Sequence, residues 1–390
     1  MEQQRFSRLG EAAPHVTFLA TMIFLSMYAR LLMSPMLVFI QEDLSVGPAQ
    51  ATSLFLPLSI AYAVAMLAAG HLSERVLHRR IIAFSAVIAG VGLLMVAFSR
   101  TFPGLYAAFT LVGVGAGLYP PSGVASVTSL VHDSIRGRAV AIHEAGPTFA
   151  YVMAPLCVTL GTLVADWRWV AGVSGVVAVA AGFLFDRYAI SGLFHGERLH
   201  LQNLRPILRK REFWAILVFF SLAASATLGI YSILPTFLVG VEGMEVDPVN
   251  TLLGVSRISG LGVLFLSGYL IDKIGVPRLM TGVFLITGVL TVVIGAFHGI
   301  PMLVGVFLQP VAIAAFFPAA VSAMADLGPP QARNLGVAVI IPVVNVISNG
   351  LFPWLMGILT ENGTVRSGFI GLGVLMLISI VMVPLLSPRR

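Results

Sequence analysis

Charge is scarce in this sequence. Asp, Glu, Lys and Arg make up 10% of its 390 residues, where a water-soluble domain carries about a quarter. Too few charges remain to cover a water-facing surface, which excludes a soluble globular protein. Cysteine is scarcer: Cys157 stands alone inside an apolar run, so no disulfide can close within the chain. The patterns HExxH, CxxC, GxSxG and the Walker loop are absent. No metal, cofactor, enzymatic chemistry or nucleic-acid partner is therefore expected. Residues 1–13 are polar and lack the short apolar core of a secretion signal, so no cleaved leader is expected.

What the chain does have is 58% hydrophobic residues, gathered into repeated long runs. Runs of about twenty apolar residues cross a bilayer as helices. In hydrocarbon only helices and closed barrels satisfy the backbone, and these runs are too long and too continuous for barrel strands. Twelve spans are predicted, at roughly 14–40, 49–73, 80–99, 102–131, 138–165, 168–190, 213–240, 249–271, 278–297, 301–325, 334–360 and 366–387. The expected fold class is an all-α membrane protein of two six-helix halves, 1–190 and 213–390, joined by a polar cytoplasmic linker at 191–212. Residues 201–214, LQNLRPILRKREFW, alternate apolar and basic positions. They read either as a helix on the inner membrane face or as an ordinary solvated linker.

Basic residues orient the spans. With the N-terminus inside, 18 of the 23 Lys and Arg residues fall on the cytoplasmic side, and only Arg100, Arg168 and Arg366 fall outside. Both termini are thus expected in the cytoplasm, and the membrane is expected to be a bacterial inner membrane.

An offset of 198 residues lays the second half on the first. Gly70 meets Gly268, Glu74 meets Asp272 and Arg75 meets Lys273. Pro103 meets Pro301, Pro120 meets Pro318, Pro155 meets Pro353 and Arg168 meets Arg366. The halves are read as a parallel repeat about an axis along the membrane normal. The loop GHLSERVLHRR at 70–80, its second copy GYLIDKIGVPR at 268–278, the run RGRAVAI at 136–142 and DWRW at 166–169 carry a family likeness. On them the chain resembles transporters of the major facilitator superfamily over its whole length. Glu74 and Leu77 depart from that family's loop pattern, and Phe109 stands where many members have an arginine. The resemblance implies a cytoplasmic latch at Glu74, Arg75, Arg138, Asp272 and Lys273. It also implies a central cavity lined by spans one, two, four, five, seven, eight, ten and eleven.

Three ionisable residues lie inside spans that the resemblance puts around the cavity: Arg30, Glu144 and Arg257. A charge at the bilayer centre costs roughly 2.5–3.5 kcal/mol. The arginines are not repeat equivalents, since Leu228 stands opposite Arg30 and Ser59 opposite Arg257. A guanidinium fork matches carboxylate, sulfonate or phosphate, so Arg30 and Arg257 are candidate anion ligands. Tyr119, Ser122, Tyr231, Gln309, Asn345 and Asn349 are candidate polar partners. Structural pairing of either arginine, and interhelical bonding by the asparagines, are the alternatives. Glu144 and His143 are candidates to carry a coupled proton, or a gate pair to a loop arginine. Gly113-x-Gly115-x-Gly117 is read as a small-residue packing stripe.

The expected function is secondary transport of a small mono- or dicarboxylate by alternating access, with a proton as candidate co-substrate, in a monomer. The rival is a proton-driven multidrug exporter, suggested by Gly146-Pro147 in span five; two arginines would repel its cationic substrates. A receptor or membrane enzyme finds no catalytic constellation or signalling domain to support it.

Overall fold

The computed structural model describes residues 6–196, 208–325 and 330–386. Among the described residues every regular element is helical, and the only extended pairing is an isolated bridge between Phe6 and Val131. Ten stretches of helix among the described residues are long and apolar enough to cross a membrane. Up to residue 188 the helices are α1 (Leu9–Leu31), α2 (Met33–Leu44), α3 (Pro48–Ser53), α4 (Phe55–Leu72), α5 (His78–Phe98), α6 (Phe102–Leu130), α7 (Asp133–Thr162) and α8 (Trp167–Tyr188). From residue 211 they are α9 (Arg211–Ala224), α10 (Ile230–Gly240), α11 (Val246–Ile274), α12 (Val276–Ala296), α13 (Gly299–Ile313), α14 (Phe316–Ala325), α15 (Pro330–Val346), α16 (Phe352–Glu361) and α17 (Val365–Ser379). The 201–214 reading falls partly outside the described residues; its last positions begin α9.

Proline accounts for most of the interruptions. Its ring removes the N–H that the carbonyl four residues earlier would accept. Pro35 follows the break at Leu32, Pro57 the break at Leu54, and Pro318 the break at Ala314 and Ala315. Pro353 follows a π-helical turn, Ile347–Leu351. Pro120 and Pro121 in α6, and Pro147 and Pro155 in α7, are carried without a break.

The chain forms two compact units, one of residues 1–45 with 57–199 and one of 46–56 with 200–390. Glycines set the helix spacing within each. A Cβ on Gly113 or Gly117 would land on the carbonyl of Leu58 or Tyr62 in α4, and one on Gly115 would land on Ala89 of α5. The stripe therefore presses α6 onto two neighbours at once. Gly90 and Gly175 cross α5 and α8 face to face, each added Cβ lying 2.7 Å from the other's carbonyl oxygen. In the second unit Gly288 and Gly373 cross α12 and α17 in the same way, at 3.0 and 2.6 Å. Both pairs are separated by the repeat offset.

The arginine pair of the repeat also does one job twice. Arg168 pairs with Asp43 at the end of α2 and reaches the Ser99 carbonyl at 3.4 Å. Arg366 pairs with Glu242 and donates to the Phe297 carbonyl at 2.6 Å. Ser99 and Phe297 are again equivalent positions. Each arginine ties the start of its helix to the end of the helix beside it.

Segments flanking the first unit's helices bind back to it. Phe6 donates to the Leu130 carbonyl at 3.0 Å and accepts from His132 N–H at 2.9 Å. Beyond α8, the Gly192 carbonyl accepts from Arg79 N–H and the Phe194 carbonyl from His78 N–H, at 2.9 and 3.2 Å. Gly192 has φ +72° and would bring a Cβ within 2.7 Å of Arg79 N, so only glycine fits there. In the second unit α3 packs on α16. The Glu361 carboxylate accepts from Ala49 N–H at 2.9 Å, and an added Cβ on Gly357 would come within 2.8 Å of the Pro48 carbonyl.

Gly90→Ala and Gly288→Ala are each expected to cost about 1–3 kcal/mol by overpacking. Gly282→Ala should be near neutral, because nothing lies within 4 Å of a Cβ there. Thermal unfolding in detergent compares the three.

Candidate functional site

In the first unit Arg30 sits in the last turn of α1, 8% exposed. Its guanidinium carbon stands 4.2 Å over the ring of Tyr62 in α4. Stacking engages the flat face of the guanidinium, while its N–H donors lie in the plane where an anion's oxygens would meet them. One turn earlier Ser26 reaches the Ala116 carbonyl of α6 at 3.4 Å, and Ser34, beyond the break at Leu32, is buried.

His143 and Glu144 form a second centre in this unit. His143 is fully buried, and its Nδ1 lies 2.9 Å from Glu144 Oε1. The Glu144 side chain is 49% exposed. On the other side of the ring, His143 Nε2 lies 2.8 Å from the Tyr119 hydroxyl, which donates to the Leu19 carbonyl of α1 at 2.9 Å. Tyr119, expected among the anion's partners, is thus joined to the proton pair. Ser122, one turn on in α6, meets His78 Nδ1 at 3.0 Å, with Phe194 packed on that imidazole. Leu19 and Arg30 are separated by about 16 Å along α1 at the usual helical rise.

In the second unit the remaining candidates surround two π-helical turns, Ser225–Gly229 between α9 and α10, and Ile347–Leu351 between α15 and α16. The two turns pack on each other. Gly229 permits this, since a Cβ there would come within 2.7 Å of the Ser348 carbonyl. A π turn displaces carbonyls from the regular ladder, and such turns recur at functional sites. Gln309 Nε2 donates to the Ala226 carbonyl at 2.7 Å. Arg257 Nη2 donates to the Thr227 carbonyl at 3.2 Å, and its guanidinium carbon lies 5.2 Å from the Tyr231 ring centroid. Ser232 bridges to Asn349 Oδ1 at 3.3 Å. Arg257, Tyr231, Gln309, Asn345 and Asn349 are all buried. By helical rise Arg257 is about 17 Å from the start of α11 and 26 Å from its end.

Sequence reasoning missed Asn250. It lies in α11 seven residues before Arg257, two helical turns away on the same face. It is 1% exposed, and neither amide atom has a hydrogen-bonding partner among the described residues. The loop candidates lie on several elements. Glu74 and Arg75 lie in the turn closing α4, Arg138 is exposed in α7, and Lys273 stands 5.7 Å from the Tyr269 ring. The Asp272 side chain lies outside the described residues. No group of three or more metal-ligating side chains occurs among the described residues.

With this geometry in hand, comparison with known proteins is specific about family and less so about substrate. The family model described as Major Facilitator Superfamily matches residues 19–293 and again 249–390. The chain is 22% identical over 259 residues to a probable L-galactonate transporter of Escherichia coli (strain K12). That match covers 60% of this chain and 55% of the relative. Among solved structures, the nucleoside transporter NupG superposes with a TM-score of 0.79 at 12% identity, over 96% of this chain and 99% of that one. A bacterial homolog of the human lysosomal transporter Spinster, in an inward-facing and unoccupied conformation, gives a TM-score of 0.73 at 17% identity, over 96% and 95%.

Gln309→Leu should leave the Ala226 carbonyl buried without its side-chain donor. The expected loss is about 1–3 kcal/mol of stability, read as a lower thermal midpoint, with a smaller effect for Asn349→Ser.

Proposed function

The chain belongs to the Major Facilitator Superfamily, and on that premise we propose that it carries a small hydroxylated carboxylate by alternating access, with a proton as co-substrate. It is a multi-pass membrane transporter and not an enzyme; the substrate class and the coupling are the proposal. Arg257 is the observation that carries it. Its guanidinium stays protonated at every physiological pH, and it is buried deep along α11. Lodging a charge there costs roughly 2.5–3.5 kcal/mol, which an arriving anion offsets. Tyr231 lies beside it, and Gln309, Asn345 and Asn349, at the two π-helical turns of the same unit, add neutral donors and acceptors suited to hydroxyl groups. Asn250, buried with no partner for its amide among the described residues, suits a substrate hydroxyl that both donates and accepts. Similarity to a probable L-galactonate transporter supports the same class.

Arg30 on Tyr62 is the first unit's candidate for the same anion. Glu144 and His143 carry the proton, which cancels the charge the anion would otherwise move across the field. Glu74, Arg75, Arg138, Asp272 and Lys273 serve as the latch. Adding α7, of 30 residues, and α11, of 29, to the ten apolar stretches makes twelve spans. The basic loops put both ends in the cytoplasm of a bacterial inner membrane, and the protein acts as a monomer. Gly146, from which the exporter alternative is read, also has a packing role: a Cβ there would come within 2.6 Å of the Ala20 carbonyl in α1.

In proteoliposomes with an imposed pH gradient, aldonate uptake is expected to fall about 10- to 100-fold in Arg257→Lys and Arg257→Ala, the worth of a charge-assisted fork. Wild-type uptake in well-folded Arg257→Ala removes Arg257 from the site. Asn250→Leu should weaken uptake of the hydroxylated acid and spare an unhydroxylated acid of equal charge.

A further inference from the structure

The hydrogen-bonded chain Tyr119–His143–Glu144 has countable donors. The Tyr119 hydroxyl owns one hydrogen, and it goes to the Leu19 carbonyl 2.9 Å away, because a carbonyl only accepts. Toward His143 Nε2, at 2.8 Å, the same oxygen must then accept, so Nε2 carries a hydrogen. Nδ1 faces Glu144 Oε1 at 2.9 Å, and one more hydrogen has to lie between those atoms. It sits on Nδ1, as imidazolium beside carboxylate, or on the carboxyl, as carboxylic acid beside neutral imidazole. Either way the pair holds one proton more than a neutral imidazole and a carboxylate hold together.

We propose that Tyr119 is a positioning residue that sets the proton occupancy of the Glu144–His143 pair and links release of that proton to the contact between α6 and α1. The inference rests on the proton-carrying role given to the pair above. When the proton leaves through half-exposed Glu144, two lone pairs face each other across 2.9 Å. The conflict ends when the hydrogen remaining on the imidazole sits on Nδ1 and donates to Glu144. Nε2 is then an acceptor, and the Tyr119 hydroxyl turns to it. Having one hydrogen, the hydroxyl gives up Leu19. One proton has gone to solvent, the bond between α6 and α1 is lost, and the bond between α6 and α7 has reversed its direction.

Of the other titratable groups on the elements around His143, Arg138 of α7 is exposed, and the following are engaged elsewhere. From α1, His15 stacks on Phe6, Tyr28 meets Ser174, Arg30 lies over Tyr62 and Glu11 pairs with Arg8. Asp43 of α2 pairs with Arg168, and Asp186 of α8 pairs with Arg79. The α1 side chains in the groove beside α7, among them Thr17, Thr21 and Phe24, do not titrate in this range. Since α1 also carries Arg30, the state of the relay is felt by the helix that holds an anion candidate.

The test is the pH profile of uptake in proteoliposomes for wild type, Tyr119→Phe and Glu144→Gln. Tyr119→Phe keeps the buried ring and deletes the hydroxyl. Nε2 then has no acceptor, and a neutral imidazole with its hydrogen on Nδ1 satisfies ionised Glu144 unaided. The midpoint should move to lower pH by about one unit, tenfold in proton affinity. An unshifted midpoint, or a shift to higher pH, overturns the role of Tyr119. Glu144→Gln separates the two ideas. Loss of pH-driven uptake there alongside an unshifted Tyr119→Phe profile sinks the relay and leaves the proton-carrying pair standing. Full pH-driven uptake in Glu144→Gln sinks both. A second measurement is independent of the Tyr119→Phe fold: infrared difference spectra of wild type between acid and alkaline pH, with isotope-labelled tyrosine. A tyrosine hydroxyl band that changes together with the carboxyl band supports the relay, and a silent tyrosine overturns it.

Discussion

Hydrocarbon offers no water to a peptide N–H or C=O, and the architecture of this protein follows from that constraint. A regular helix satisfies itself and needs nothing from its neighbours. Wherever the ladder is disturbed, a freed carbonyl must find a donor within the protein. At the Ser225–Gly229 turn side chains from other helices add donors: Gln309 to the Ala226 carbonyl, and Arg257 to the Thr227 carbonyl, which also accepts from Ile230 N–H. The backbone irregularity and the buried charge therefore explain each other. An arginine is tolerable at that depth because displaced carbonyls receive it, and the displaced carbonyls are tolerable because the arginine and the glutamine supply hydrogens.

The two units share their scaffold and differ in their chemistry. The crossings Gly90–Gly175 and Gly288–Gly373, and the ties made by Arg168 and Arg366, recur at one offset. They fix how helices meet, and that requirement is the same in both copies. The hydrogen-bonded series Tyr119, His143 and Glu144 belongs to the first unit, and Phe317, Ile341 and Pro342 stand at the equivalent positions of the second. Arg257 stands where the first unit has Ser59. Pro155 is carried inside an unbroken α7, while its equivalent Pro353 follows a π turn. The divergence is concentrated in the helices that carry the polar candidates.

Much of the scaffold was legible before any coordinates, because apolar length, proline and repeated loop charges are signals carried along one dimension. A lone arginine inside an apolar run is also visible that way, hence Arg30 and Arg257. What escaped depends on register between helices. Tyr119 and Ser122 read alike as polar residues one turn apart, yet one meets His143 and the other His78. That division is set by how α6 packs on α7 and α5. Nothing in Ser-Ala-Thr-Leu-Gly announces a π turn. Asn250 reads as an ordinary polar residue in the first turns of a helix, and only its burial makes it unusual.

Residues 46–56 leave the ribosome long before the surface they pack on. Ala49 bonds to Glu361, 312 positions later, and domains form from the N-terminus as synthesis proceeds. The contact cannot close until the sequence around α16 is in the membrane. Closing so large a loop costs only slightly more than closing a modest one, since the entropy grows with the logarithm of length. Delay rather than energy is the consequence: α3 has no α16 to pack on until 312 further positions have been translated. A chain arrested before that point would leave this segment without the neighbour that its backbone and its small residues are shaped to meet.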